Sequence, residues 1–244
     1  MDYQNIVKEW QNYKINKASD IEKYLHNFRI LFAYNSGKIE NDEIDYYDTR
    51  EIFENGKVSS FTGDVRTLLE QQNQKSCYEI LIPLIVKKEP LSVKLIKQVH
   101  FELAKGTYDE RRYLDNEERP GEFKKHDYIV GINEVGADAL NTEQEVSDLL
   151  DEINNYKGED ILKAAAYFHA CFENIHPFAD GNGRVGRTLL NYYLMINNHP
   201  PIIIFESDKK QYYKALEAFD TEEQLNPLYE FLKEQCIKTW NKNN

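Results

Sequence analysis

The sequence predicts a mainly α-helical bundle with one short β-hairpin flap. Two observations lead there. Apolar side chains recur at three- and four-residue steps along most of the chain, the spacing of one helix face. The stretch from 106 to 135 departs from this. It holds Arg119-Pro120-Gly121 and a loosely alternating run from Phe123 to Ile132 with Gly131 near its end, the pattern of a turn feeding short strands.

Taken in order, Ser19 and Asp20 offer helix caps, and Ile21, Tyr24, Leu25, Phe28 and Leu31 follow on one face until Asn35-Ser36-Gly37, a polar stop. A second helix starts near Asp64 and runs through Leu68, and Pro83 is expected to kink or break its continuation, because proline removes a donor and crowds the preceding turn. Ser92 to Ala104 reads as a third helix ended by Gly106. Helical spacing returns from Glu143 to Tyr156. It is strongest from Asp160, where Ile161, Ala165, Phe168, Phe172 and Ile175 make a continuous stripe. Val185, Leu189, Tyr193 and Ile196 carry the next helix, which Pro200 and Pro201 end. Two more helices fill Lys209 to Trp240, parted near Asp220 and Pro227. With no internal repeat or linker, this gives an N-terminal helical region over 1–60 and a main domain over 61–240.

Composition excludes several classes. Thirty Lys and Arg against 42 Asp and Glu leave a net charge of −12, which argues against nucleic acid as a partner, since that binding rests on neutralising phosphates. The longest apolar run, Ile80 to Val86, contains Pro83 and is too short to span a bilayer. Three cysteines without CxxC spacing point to reduced thiols and a cytoplasmic protein without membrane association. The oligomeric state is left open.

Residues 176–187 read His-Pro-Phe-Ala-Asp-Gly-Asn-Gly-Arg-Val-Gly-Arg. His176 follows an apolar helix and offers a proton acceptor. Gly181 and Gly183 permit a backbone that aims successive N–H groups at an anion, and the helix starting at Arg184 adds its positive end. Asp180 is placed to hold a hard cation or to cap the turn. Asn182 presents its amide to a phosphate oxygen or stabilises the turn. Arg184 and Arg187, three apart, leave the first helical turn side by side, and Phe178 faces away as an anchor. Gly181, Gly183 and Gly186 also satisfy G-x-G-x-x-G, with Glu206 about twenty residues on after the strand-like Ile202-Ile203-Ile204-Phe205, an imitation of an NAD-binding βαβ unit. The helix from Ile161 to Ile175 stands where the first strand must be, so the oxidoreductase reading remains a remote alternative. A cation, a proton acceptor and paired arginines suit a nucleoside triphosphate better.

The motif resembles that of Fic-domain proteins, H-x-F-x-[DE]-G-N-G-R-x-x-R, at every specified position: His176, Phe178, Asp180, Gly181, Asn182, Gly183, Arg184 and Arg187. The likeness extends over roughly residues 90 to 235. It implies a compact Fic-type helical bundle that transfers AMP from ATP, with Mg2+, to a Ser, Thr or Tyr hydroxyl of a target protein or of itself. By position, His176 is the general base and Asp180 holds Mg2+. Asn182 and the Gly181–Gly183 backbone hold the α-phosphate, while Arg184 and Arg187 grip the outer phosphates, with Val185 and Gly186 in the same turn. The flap at Ile129, Val130 and Gly131 resembles the edge on which relatives dock a target segment in extended form. Tyr212 and Tyr213 match a tyrosine pair near the nucleotide and read equally as helix-face core aromatics. Asp220 stands where some relatives carry Asn near the adenine.

A second likeness lies upstream. Ser36-Gly37-Lys38-Ile39-Glu40-Asn41 is similar to the family's inhibitory motif [ST]-x-x-x-E-[GN]. It implies an inhibitory helix preceding the core, with Glu40 paired to Arg187 so that the γ-phosphate loses its partner. In some relatives this glutamate assists removal of AMP, so de-adenylylation, or use of another nucleotide donor, is the alternative reading.

Overall fold

The computed structural model describes residues 1–128 and 136–241. These form ten α-helices: α1 (Tyr3–Asn12), α2 (Ala18–Glu40), α3 (Tyr46–Asn55), α4 (Val65–Lys87), α5 (Val93–Ala104), α6 (Thr142–Asn154), α7 (Ile161–Ile175), α8 (Asn182–Ile196), α9 (Lys209–Glu222) and α10 (Asn226–Trp240). A π-helical turn at Arg111–Asp115 and a 3₁₀ turn at Glu206–Asp208 complete them. No described residue belongs to a β-strand. The expected hairpin is therefore absent from Phe123 to Tyr128, and Ile129, Val130 and Gly131 lie outside the described residues. Among the described residues, no helix is long and apolar enough to cross a membrane.

The central pair is α7 against α8, covered by α5, α6, α9 and α10, with α4 spanning from α5 to α2. Phe168, Phe172, Val185, Leu189 and Tyr192 are buried between them, as the apolar stripe requires. Asp160 caps α7 by accepting from Lys163 N at 3.0 Å. The N-terminal helices share this interior: Ile6, Trp10, Ile21, Leu25, Phe28 and Ile39 belong to the same buried cluster.

Three stretches differ from the sequence expectation, each for a local reason. The α2 helix does not stop at Asn35-Ser36-Gly37 but runs on to Glu40. Those polar residues turn inward, because Asn35 donates to Leu31 O at 2.8 Å and accepts from Glu206 N at 3.0 Å. Gly37 is what lets α2 pass, since a Cβ there would stand 2.5 Å from Gln71 Nε2. Pro83 neither ends nor interrupts α4. It is exposed, as is Glu79, so the carbonyl it leaves without an intrahelical donor faces water. The run Ile202–Ile204 is buried yet not a strand. Side chains take the place of a neighbouring strand: Asn191 bonds both N and O of Ile202, Thr239 accepts from Ile203 N, and Gln235 accepts from Phe205 N.

Candidate active site

His176 ends α7 in a left-handed conformation (φ 50°), and its N–H donates to Phe172 O at 3.1 Å. This sharp exit turns the chain away from α7 into the loop. Gly181, at φ 85°, makes the second left-handed bend and starts α8, a position that favours glycine. Helix α8 thus begins at Asn182, two residues earlier than the sequence indicated. Between the bends Phe178 is fully buried, as expected of an anchor, with its ring stacked 3.7 Å from His100 on α5. Gly121 N donates to His100 Nδ1 at 2.8 Å, so the proton sits on Nε2, which faces Asp180 O at 3.0 Å. Burial pushes the His100 imidazole down to about 4, in keeping with that neutral form.

Asn182 takes the turn-stabilising role. Its amide accepts from Phe178 N at 2.8 Å and donates to Phe178 O at 2.7 Å, so the side chain is committed to the loop and leaves anion binding to the backbone. His176, Asp180, Gly181, Gly183 and Arg184 line one cleft of about 560 Å³, together with Glu40, Glu70 and Arg66 from α2 and α4. Val185 is core, and the space beside Gly186 Cα is taken by Glu173, whose Oε1 would lie 2.1 Å from a Cβ there. Tyr212 is buried with its hydroxyl 2.8 Å from His169 Nε2, whereas Tyr213 is exposed. Asp220 accepts from Asn174 at 2.9 Å.

Arg187 is buried, yet well supplied with acceptors. Its Nε donates to Ser36 Oγ (3.0 Å) and its Nη2 to Ser36 O (2.9 Å) and Glu40 Oε1 (2.8 Å). Burial disfavours the guanidinium charge, but Glu40, followed by Tyr212 and Glu173, reverses the balance and raises its pKa. Arg187 Nη1 and Arg184 Nε are buried donors without a hydrogen-bond partner among the described residues. Burial, helped by the Lys124 ammonium, pushes His176 down to about 4. The imidazole is therefore neutral at pH 7 and able to accept a proton. Burial likewise raises Glu173 to about 8, with Arg187 opposing it.

A divalent cation fits here only in one way. No group of three His, Cys, Asp or Glu among the described residues can hold a metal. Asp180 is a single carboxylate facing the cleft, which matches a magnesium ion that keeps waters and takes its other oxygens from bound phosphates. His100, Arg66, Glu70, Glu118 and Glu173 join the site without any signal in the sequence around them. Glu118 is 1% exposed and accepts from Lys125 N, His126 Nδ1 and Tyr128 Oη, which ties down the segment leading towards the expected flap. A buried glutamate is rare without partners, but burial was not readable at these positions.

A model of the Fic/DOC family matches residues 90–194, which include this loop, all of α7 and α8 as far as Leu194. The chain belongs to the Fic/DOC family. It is homologous to Fic-1 proteins. The "Protein adenylyltransferase fic-1" of Caenorhabditis briggsae is 26% identical over 208 residues, 83% of this chain and 39% of that protein. The "Protein adenylyltransferase Fic" of Drosophila willistoni is 27% identical over 215 residues, 84% of this chain and 40% of that protein. The chain thus spans about two fifths of the length of these curated relatives. A Fic domain containing signaling protein from Bacteroides thetaiotaomicron shares the fold with a TM-score of 0.81 at 22% identity, covering 98% of this chain and 94% of that one. Fic-1 from C. elegans gives 0.78 at 20% identity, covering 97% and 70%. The Fic-type fold is therefore the one observed, with its helices in full.

Proposed function

We propose that this Fic/DOC protein is a protein adenylyltransferase held inactive by its own α2 helix. The observation that carries the reading is the pair Glu40–Arg187 at 2.8 Å: Glu40 lines the His176 cleft together with Arg184, and Arg187 Nη1 and Arg184 Nε are left as unpartnered buried donors. A buried arginine whose spare N–H groups face a loop of backbone donors is built for phosphate. A carboxylate seated on the same guanidinium competes with that phosphate directly.

In the transfer, a Ser, Thr or Tyr hydroxyl of the target attacks the α-phosphorus of ATP. The new O–P bond forms as the bond to the β-phosphate oxygen breaks, and pyrophosphate leaves. The hydroxyl proton passes to the neutral His176 imidazole. Asp180 would hold Mg2+, which supplies charge neutralisation between the phosphates. The backbone from Gly181 to Gly183 orients the α-phosphate, and Arg184 and Arg187 receive the charge that accumulates on the leaving group. The acceptor segment approaches beside residues 124–128, where Lys124 N donates to Pro177 O at 2.9 Å and Glu118 holds the following turn.

Incubation with ATP labelled at the α-phosphorus, with Mg2+ present, tests this. Label is expected on the protein or on a lysate partner, increased by Glu40→Gly and abolished by His176→Ala. If Glu40→Gly binds ATP yet never transfers label, adenylylation is refuted. If it instead strips AMP from modified proteins, the de-adenylylase reading replaces it.

A further inference from the structure

Glu40 is not the only side chain set against the catalytic loop. In the same cleft, Arg66 in the first turn of α4 donates from Nη2 to Asp180 Oδ2 at 3.0 Å. Its Nε donates to Glu70 Oε1 at 3.1 Å. The same Glu70 oxygen lies 3.4 Å from Arg184 Nη1. Asn41, directly after Glu40, donates to Glu70 Oε2 at 3.1 Å and to Thr67 Oγ1 at 3.0 Å. Helix α4 therefore sets a cation on the loop's carboxylate and a carboxylate on the loop's first arginine.

An isolated surface pair of this kind contributes little. Two features set this one apart. Glu70 and Arg184 side chains are only 6% and 4% exposed, so the fork that aims Arg66 is itself shielded and fixed. The Asp180 carboxylate is also crowded by positive charge. Arg112 Nη1 stands 3.9 Å from Oδ2 and Arg184 Nη2 stands 3.9 Å from Oδ1. A divalent cation arriving without phosphates meets three guanidinium groups around its one protein ligand.

We infer that Arg66 is a positioning residue that occupies Asp180 in the nucleotide-free protein and must leave it before a divalent cation can bind there. The inference rests on the reading of Asp180 as the cation ligand. Arg66 is about a third exposed on its side chain (38%), so it has solvent to move into. Bound phosphates supply the negative charge that makes the exchange favourable. The consequence is ordered loading, in which metal enters with the nucleotide and not ahead of it. Glu70, released from Arg66 in the same movement, stays anchored by Asn41 at the end of the α2 helix.

The test uses free Mn2+ as a stand-in for Mg2+, titrated into the nucleotide-free full chain and read by electron paramagnetic resonance. Wild type is expected to bind weakly. Arg66→Gln should bind at least about tenfold more tightly, because one positive charge within about 4 Å of the ion is removed. Arg66→Lys, which keeps the charge, should stay near wild type and shows that the effect is not misfolding. Adding Asp180→Asn to Arg66→Gln should erase the gain. Equal affinity in wild type and Arg66→Gln overturns the inference, and so does a gain that survives loss of the Asp180 carboxylate. No ATP or transfer is involved, so failure of the adenylylation assay and failure of this one are separate results.

Discussion

Glu40→Gln is the most informative single change, because it keeps the shape of the side chain proposed to inhibit and removes its charge. At 2.8 Å the Coulomb attraction is roughly 6 kcal/mol with an effective dielectric constant of about 20. That is a ceiling. Glu40 is 37% exposed on its side chain while Arg187 is 2%, so water screens one partner, and a glutamine amide oxygen still accepts a neutral hydrogen bond. A net loss of about 2 kcal/mol remains, or roughly thirtyfold in the population of Arg187 available to phosphate. AMP incorporation from labelled ATP at subsaturating concentration should rise by about that factor. The same change leaves the buried Arg187 charge with neutral acceptors alone, the Ser36 hydroxyl and carbonyl and the new amide oxygen, so the melting temperature should fall by about 4–8 °C. Calorimetry and the labelling assay on the same preparation separate the two effects. A melting temperature that falls while labelling stays at the wild-type level would mean that the ion pair secures the fold without controlling the reaction.

Other perturbations address different parts of the site. His176 titrates near 4 because of burial and Lys124. In the Glu40→Gly background, kcat/KM should therefore stay flat between about pH 6 and 7, with its acid limb near about pH 4–5, and Lys124→Met should move that limb upward. An acid limb at about 6.5 would refute the buried-imidazole account. Glu173, raised to about 8 by burial, binds a proton more tightly folded than unfolded. Its contribution to stability falls as pH rises from about 4.5 towards 8, so Glu173→Gln should gain on wild type by on the order of 2–3 kcal/mol across that window. Denaturant midpoints at pH 5 and 8 measure it, and a constant gap between the two proteins speaks against a protonated Glu173. Phe178→Ala removes the ring stacked on His100 and should cost about 3–5 kcal/mol. Phe178→Leu should cost less, and a loss below about 1 kcal/mol for the alanine variant in urea unfolding would deny Phe178 its anchoring role.

What the sequence disclosed and what it withheld divide along the distance between partners. Helix α7 and the loop after it are specified by residues within a few positions of one another. An apolar stripe ends at Ile175, two glycines follow, and Phe178 has nowhere to go but inward, so pattern and chemistry are readable in one window. The motif at Ser36 was readable in the same way, although the end of its helix was not. Whether Asn35 stops a helix or continues it is decided by Glu206 N, 171 positions away. Arg66 and Asp180 stand 114 positions apart, and neither carries a local sign of the other. The helices α1 and α3 are not in the sequence expectation; each is ten residues long, a length at which an isolated helix is marginal in water and depends on packing. Ile202–Phe205 has the composition of a strand, and only the side chains of Asn191, Thr239 and Gln235 show why no strand is needed.

The inward turn of Asn35 bears on how Glu40 can ever let go. Upstream of it, α2 is bolted by Glu206 N to Asn35, while Lys209 grips the carbonyl of Ile39. Lifting the whole rod would tear both fastenings and expose Ile21, Leu25 and Phe28 to solvent, which is costly for apolar side chains. The cheaper route is a rotation confined to the tip, where Glu40 swings about its own bonds and the backbone stays put. Under the proposed autoinhibition, activation therefore need not pry a helix loose; it has only to offer Glu40 a better place to rest.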